Sequence, residues 1–503
     1  MEKKGQYINK KKKSYSKSYI KEKQEITSEI KKEEKKFLQK KSDISNSKIF
    51  IALLVILAVT LISYLPTFQN EITNWDDDKY ILENPLIEKL DGETVSKMFY
   101  SGTPDELYWM GNYHPLTMLS LNINYQMLSE NDFDEDGKVT NPFVFQITNI
   151  IFHLINTVLV FFVVFLLFKN FPIAIISALF FGISTLHVES VTWISERKDV
   201  LYTSFFLASL LFYIKYTEKF DLKNIIISFI FFLLSAFAKG QAVSLAVTLI
   251  AVDYLKNRNL LDIKLIIEKS IYLTIGIIFG VIAIKAQKHG MAMQDVAHYG
   301  ILKRFLIAGF GFSMYIFKLI VPFNLSAIYP YPDIVTRSIP AYYALGLIPS
   351  TITGFALIYF FKKSKEITFA IAFFVINIAL LLQIIPVGSA IMADRYAYIP
   401  SIGFFILLGY LYNKVIEKNP NLKNLLIAVI TLFTIAWSYT TFQRTKVWKD
   451  SMTLWDDVVE KQPKAVVAWN NRGSEYDKNA TTFKEGKNYE KYTEYKLQSI
   501  EDF

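Results

Sequence analysis

Long apolar runs, separated by short linkers rich in lysine, dominate the chain. Runs at about 49–68, 143–168, 172–187, 200–216, 223–238, 240–255, 265–285, 303–322, 341–361, 367–386, 397–412 and 423–441 read as twelve apolar helices. A bilayer core about 30 Å thick needs about 20 apolar residues in a helix rising 1.5 Å per residue. Several of these runs reach or approach that length. Two stretches break the rhythm. Residues 69–142 are too long for a turn and mixed in polarity. Residues 446–503 are polar, with Trp455, Val458, Val459, Val466, Trp469 and Tyr476 at loosely helical spacing around a break at Pro463. The pattern predicts an all-α polytopic membrane protein with a long first external loop and a small helical tail.

Charge adds an orientation. Residues 1–48 hold sixteen lysines and seven acids, a charge of +9 that equals the formal net charge of the whole 503-residue chain. This segment reads as a disordered, basic cytoplasmic tail that fixes topology and touches anionic lipid, and not as a nucleic-acid binder. No cleavage signal follows 49–68, so that helix reads as a retained span. Lysines at 169, 215–223, 256–264 and 362–365 mark linkers on the same side as the tail. Loop 69–142 then lies outside, and so does 446–503. An inside start with an outside end requires an odd number of spans, so about eleven of the twelve runs cross. The run at 303–322, with Lys303, Arg304 and Lys318, is one candidate for exclusion, and the short pair 223–238 and 240–255 is the other. The transmembrane domain is bounded at 49–445. The chain has no cysteine, which excludes disulfides and thiol chemistry. It also lacks a Walker A sequence and a dinucleotide fingerprint, which argues against a nucleotide-reading domain.

The polar residues cluster at helix exits. Asn74-Trp75-Asp76-Asp77-Asp78 follows the first run, in a loop with fifteen acids and four lysines. Crowded carboxylates raise one another's pKa or recruit a cation, so the Asp76-Asp77-Asp78 triplet is a candidate for a general base or for a divalent-metal site. The alternative is a solvated acidic helix start. His187, Glu189, Glu196, Arg197, Lys198 and Asp199 crowd the linker after the 172–187 run. Two residues apart, His187 and Glu189 do not share a helix face as zinc ligands do. Asp394-Arg395-Tyr396 places an arginine among tyrosines, either as a phosphate clamp or as an ion pair with Asp394 in an aromatic belt. Lys239 stands alone between two apolar runs and is a site candidate on that ground. Asp132, Asp134, Asp136 and Gly137 follow calcium-loop spacing, but Phe143 occupies the position where such a loop has its bidentate acid. A solvated acidic turn is the alternative.

Taken in order, these segments resemble a known family. Trp75-Asp76-Asp77 with Asn84, Tyr113-His114-Pro115-Leu116-Thr117, and Asn149, His153 and Asn156 are its first elements. Leu186-His187-Val188-Glu189-Ser190-Val191 with Arg197 and Asp199 comes next, then Ala238-Lys239-Gly240-Gln241 and Asp394 to Ser401. Across about residues 49–475 the chain resembles membrane O-mannosyltransferase-like proteins with C-terminal tetratricopeptide repeats, within the GT-C superfamily of glycosyltransferases. The resemblance implies a GT-C-like bundle and a polyprenyl-phosphate-linked sugar donor. The acceptor it implies is an extracytoplasmic protein hydroxyl or glycolipid. It makes Asp76 and Asp77 the catalytic acids. It gives Arg395, Lys239, His187, Glu189, Arg197, Tyr396 and His114 to donor or acceptor binding. The placement read from topology is a bacterial cytoplasmic membrane, with the N-terminus inside and the C-terminus outside. One departure is Ser184-Thr185, where the family has His-Pro. Another is the tail, where Ala468 to Gly473 and Ile500 to Phe503 resemble a single, reduced repeat. A transporter of lipid-linked sugars would show an internal repeat of spans, and none is visible. A non-catalytic repeat scaffold has no need of the acidic triplet.

Overall fold

The computed structural model describes residues 45–100, 103–290, 299–332, 336, 338–385, 388, 390–486 and 488–503. Residues 1–44 of the basic tail lie outside the described residues. Val55–Phe503 form one compact unit. Of the residues before it, those described are the start of the first helix, Asn46–Ser63.

Among the described residues the architecture is helical, apart from one small strand pair and an isolated bridge between Phe133 and Val139. Six helices among the described residues are long and apolar enough to cross a membrane: Asn46–Ser63, Phe143–Phe168, Ile194–Lys219, Ile263–His289, Ala341–Phe360 and Pro420–Lys446. A bent pair, Phe171–Gly182 and Thr185–Thr192, makes a seventh when its two halves, 50° apart, are taken as one span. The other expected crossings are shorter or more charged. Leu222–Ala238 and Gly240–Leu255 are short apolar helices. Ile301–Ile320 carries Lys303, Arg304 and Lys318. Lys365–Ala379 has 15 residues, and Ser401–Lys418 keeps Lys414, Glu417 and Lys418 near its end. The bundle is therefore polytopic and all-helical, while its crossings differ in length.

Close packing relies on small residues where helices cross, since apolar side chains gain little from facing each other instead of lipid. On Ser401–Lys418, a Cβ on Gly403 would stand 2.5 Å from the Ala370 carbonyl oxygen, and one on Gly409 would stand 3.0 Å from Ile173 Cα. At one end of the bundle, buried charges are paired. Asp253 takes Arg258 at 2.9 Å and Lys269 at 2.7 Å, and Arg258 reaches Glu268 at 2.9 Å. Tyr213 donates to both Asp253 oxygens.

The first loop is a folded cap with its own core. Tyr80, Ile81, Leu86, Ile87, Met98, Met118, Leu121 and Val139 pack with Phe145 and Ile194 from the bundle. Asn84 caps the Pro85–Glu88 turn and Asp91 caps Gly92–Phe99, each accepting from a backbone N–H. Thr117 on the Pro115–Tyr125 helix donates to the Ala238 carbonyl at 2.8 Å, which fastens the cap to a helix end. The chain turns sharply at Met110-Gly111, where both residues have positive φ. A Cβ at Gly111 would meet Gly290 Cα at 3.2 Å.

Three helices form the tail: Ser451–Lys461, Val466–Glu485 and Tyr489–Asp502. The last two make a hairpin. Arg472 donates to both oxygens of Asp502 at 2.7 Å, and Phe483 and Tyr476 pack on Tyr495. The tail is anchored against the first loop, where the Glu71 N–H donates to the Lys449 carbonyl at 2.6 Å. A pair of strands, Tyr329–Pro330 and Ala390–Met392, runs antiparallel with Tyr329 opposite Met392. This ladder leads directly into Asp394-Arg395.

Candidate functional site

The ends of several helices converge beneath the first loop, and a network of charges lies there. Arg395 sits on a short turn after the strand pair, with its side chain 18% exposed. Glu189 accepts from the Arg395 backbone N–H at 3.0 Å and from guanidinium Nη1. Glu196 stands 3.2 Å from Arg395 Nε. Arg395 Nη2 takes no partner among the described residues. The guanidinium also lies 5.5 Å from the Trp193 ring and 5.1 Å from the Tyr396 ring. Asp394 does not pair with it. Its carboxylate accepts from Tyr329 at 2.8 Å instead. Burial works against the Arg395 charge, but Glu189 and then Glu196 outweigh it and hold the guanidinium well above its ordinary pKa, so it stays charged.

Glu196 links three cations. Its oxygens lie 3.1 Å from Lys198 and 3.3 Å from Lys239, in addition to Arg395. Lys239 also binds Asp199, which accepts from Ser190 at 2.9 Å. Arg395, Lys198 and Lys239 are thus matched by Glu189, Glu196 and Asp199. Buried ions hold together only as such a set, because removing one partner leaves an uncompensated charge.

The acidic pair of the first loop divides into two environments. Asp77 is 1% exposed and both of its oxygens are occupied. One accepts from the Ser195 N–H at 2.9 Å and from the Ser195 hydroxyl, and the other accepts from the Thr73 N–H at 3.2 Å and hydroxyl at 2.9 Å. Burial pushes its carboxyl up to about 6 against the pull of these bonds. Asp76 is half-buried, and no group among the described residues lies within hydrogen-bond or ion-pair reach of it. Burial raises its pKa too, opposed chiefly by Lys198 and also by Arg395. Of the pair, Asp76 is therefore the carboxylate left without a partner, within electrostatic reach of Lys198 and Arg395.

Beside Lys198 and Lys239 lies a small cavity of about 30 Å³, space for one or two waters. His114, Asn112 and Gln287 also line it. His114 is 3% exposed, and neither ring nitrogen meets a partner in good geometry. Glu196, and after it the Asn112 backbone, oppose the fall in its pKa. Burial, then Lys198 and Lys239, push the imidazole down to about 3, so it is neutral at any working pH.

Other residues singled out in the sequence stand elsewhere. Arg197 is fully buried and donates to Asn149, to Ser120 and Asn124 at 2.8 Å, and to the Phe145 carbonyl at 2.7 Å. It therefore ties the first loop to the bundle and offers no atom to a ligand. His187 is fully buried, between the Phe181 carbonyl at 2.8 Å and the Ser401 hydroxyl at 3.0 Å. It belongs to a polar core in which Asn156 donates to Tyr398, and Tyr398 to His153. Asp132 and Asp134 turn their oxygens to their own loop. Asp132 accepts from Ser129 and Asn141, and Asp134 from the backbone N–H groups of Asp136 and Lys138. That self-capped turn, with Gly137 at φ +77°, accounts for the calcium-like spacing. Among the described residues no three Asp, Glu or His side chains converge as metal ligands. Asp76 and Asp77 do not form a metal pair either, since Asp77 has already given both oxygens to N–H and O–H donors. Lys198 and Glu196 are central to the network. Their signal in the sequence was the density of charge at 196–199, which does not say which side chains face inward.

These features define an integral, multi-pass membrane protein with a charged site at the ends of its helices. Along most of its length the chain is similar to proteins named as O-mannosyl-transferases. It is 24% identical over 457 residues to "Protein O-mannosyl-transferase F38B6.6" of Caenorhabditis elegans, which covers 87% of this chain and 61% of that protein. It is also 24% identical over 481 residues to "Protein O-mannosyl-transferase TMTC3" of Homo sapiens, covering 84% and 48%. Tmtc2 of Drosophila melanogaster is 32% identical over a stretch of 73 residues. The chain thus spans about half to three fifths of the length of the relatives it matches over most of its own length. No protein-family model matches it.

Proposed function

We propose that this protein is a GT-C type membrane glycosyltransferase that moves a sugar from a polyprenyl-phosphate-linked donor to a protein hydroxyl on the extracytoplasmic side of the membrane. The observation that carries this reading is the Asp76 carboxylate, without a hydrogen-bond or ion-pair partner among the described residues and within electrostatic reach of Lys198 and Arg395, in a chain similar over most of its length to protein O-mannosyl-transferases. Mannose is the sugar that those names favour.

The chemistry follows from the positions of the charges. Asp76 takes the proton of the acceptor hydroxyl as its oxygen attacks the anomeric carbon. The new C–O bond forms as the bond from that carbon to the phosphate oxygen breaks, and the polyprenyl phosphate leaves with the electron pair. Arg395 presents Nη2 to that developing charge while Glu189 and Glu196 fix the plane of the guanidinium. Preorganised donors of this kind, in a site screened from water, are worth several kcal/mol in the transition state. The mechanism needs no step through a metal.

The N-terminus is inside and the loop and tail outside in this reading, as in a bacterial cytoplasmic membrane. The test is transfer of mannose from polyprenyl-phosphate mannose to a serine- and threonine-bearing peptide by the purified protein in detergent or liposomes. A peptide heavier by one hexose supports the reading, and an unchanged peptide at all donor concentrations overturns it.

A further inference from the structure

We infer that Asn74 is a positioning residue for Asp76, held from the C-terminal helices, so that the repeat-like tail is a working part of the site. This inference rests on the reading of Asp76 as the base.

Every polar group of Asn74 except its carbonyl is taken by the tail. Its backbone N–H donates to the Ser451 hydroxyl at 2.9 Å. Its Nδ2 donates to the Asn471 carbonyl at 2.8 Å, and its Oδ1 accepts from the Trp455 indole at 2.5 Å. An asparagine suits this place because one side chain must both donate and accept. Aspartate would keep the bond from Trp455 but set an oxygen against the Asn471 carbonyl. The next residue is held as firmly. The Trp75 ring stacks on Trp193 at 4.3 Å and meets Trp455 edge-on at 5.2 Å, with Trp448 stacked behind at 6.5 Å. On the far side Asp77 is fixed by Thr73 and Ser195. Asp76 is thus an unbonded side chain on an immobilised backbone, and 397 residues of sequence separate Asn74 from Asn471, one of the tail residues that hold it. The half-buried, partnerless carboxylate gains its direction from these neighbours, since it has no bond of its own to aim it.

Such an arrangement matters to chemistry because a misplacement of about 1 Å costs about 100-fold in rate. The experiment compares wild type with Asn74→Ala, Asn74→Asp, Trp455→Phe and Asp76→Asn. It uses polyprenyl-phosphate mannose and a serine- and threonine-bearing peptide, and reads kcat, the KM for donor, the pH profile and thermal unfolding. Trp455→Phe keeps an aromatic side chain but removes the pyrrole half of the buried indole with its N–H, so its effect is read beside Asn74→Ala, which leaves the tryptophan cluster intact. The expected result is a kcat about 10- to 100-fold lower in the Asn74 variants and in Trp455→Phe. The donor KM should stay close to wild type and the acidic limb of the pH profile should move. A loss that merely follows the folded fraction, with an unmoved acidic limb, overturns the inference, and so does an unchanged kcat. An inactive Asp76→Asn beside fully active Asn74→Ala defeats this inference alone. An active Asp76→Asn, or a wild type that transfers nothing, defeats the reading beneath it.

Discussion

Ser195 grips Asp77 with both its backbone N–H and its hydroxyl. Together with Thr73 it uses up that carboxylate, so two adjacent aspartates have separate tasks. Asp77 joins the first loop to the bundle, and Asp76 is open. Asp77→Asn should lower thermal stability by about 1–3 kcal/mol, because an amide offers one acceptor oxygen and turns an NH2 toward donors. Asp76→Asn, with no bond to lose, should melt with wild type. Thermal unfolding in detergent checks both, and equal melting of the two variants would show that Asp77 is not a structural tie.

Arg395 is held flat by Glu189 and Glu196, with Nη2 remaining to donate. Lysine keeps the charge but cannot bind both carboxylates and still present a donor in a fixed plane. Arg395→Lys should therefore recover only a small part of the transfer lost in Arg395→Ala. The effect should fall on kcat about as strongly as on kcat/KM, because the interaction strengthens as charge develops on the leaving phosphate. Full activity in Arg395→Lys would reduce its role to that of a generic cation.

The contribution of Asp77 to stability and that of Asp76 to activity should respond to pH in opposite directions. The folded pKa of Asp77, about 6, lies above its ordinary value of 3.8. The folded state therefore holds the proton more tightly. This contribution to stability is full below about pH 4 and is lost as pH rises through about 6, a change of about 3 kcal/mol. The difference in unfolding free energy between wild type and Asp77→Asn, measured between pH 4 and 8, should carry that decline, because the other buried titrating groups, His114 among them, are common to both proteins. Transfer should instead increase with pH as Asp76, whose pKa is also raised, loses its proton. With the His114 pKa at about 3, no imidazole inflection near pH 6.5 should appear. Activity that falls as pH rises from 4 to 7 would contradict a carboxylate base.

Much of the fold is visible in the sequence, because apolar runs of spanning length and lysine-rich linkers are strong local signals. The long loop, the tail and most helix positions are legible for that reason. The bend between Gly182 and Thr185 is not, since a run that reads as one span gives no sign of a 50° turn. Neither is the strand pair at Tyr329 and Met392, whose partners are far apart in sequence. The site divides in the same way. Motif order brings out Asp76, Asp77, Lys239, Glu189 and Arg395, but it cannot tell an inward charge from a structural one. Arg197, His187 and Asp77 look like chemistry in one dimension. In three dimensions their polar atoms are already used. The roles of Lys198 and Glu196 depend on which way a short turn points its side chains, and no spacing rule gives that.

Orientation can be read in this cysteine-free chain from single introduced thiols. Tyr100 and Tyr489 are 81% and 63% exposed, on the loop and tail, and Leu261 is 86% exposed in a short linker. Cysteines at 100 and 489 should react with a membrane-impermeant maleimide in intact cells. A cysteine at 261 should react only after permeabilisation. Labelling of 100 with protection of 489 would place the tail on the wrong side of the membrane.

The central claim is that an open carboxylate at position 76 drives sugar transfer to a protein hydroxyl. Mass spectrometry of a serine- and threonine-bearing peptide, incubated with polyprenyl-phosphate mannose and either wild type or Asp76→Asn, tests it most directly. The account predicts a peptide heavier by one hexose with wild type. It predicts a rate lower by about 10²–10⁴-fold with the folded, membrane-inserted Asp76→Asn variant, the usual contribution of a general base. An Asp76→Asn protein that transfers hexose at the wild-type rate would contradict it.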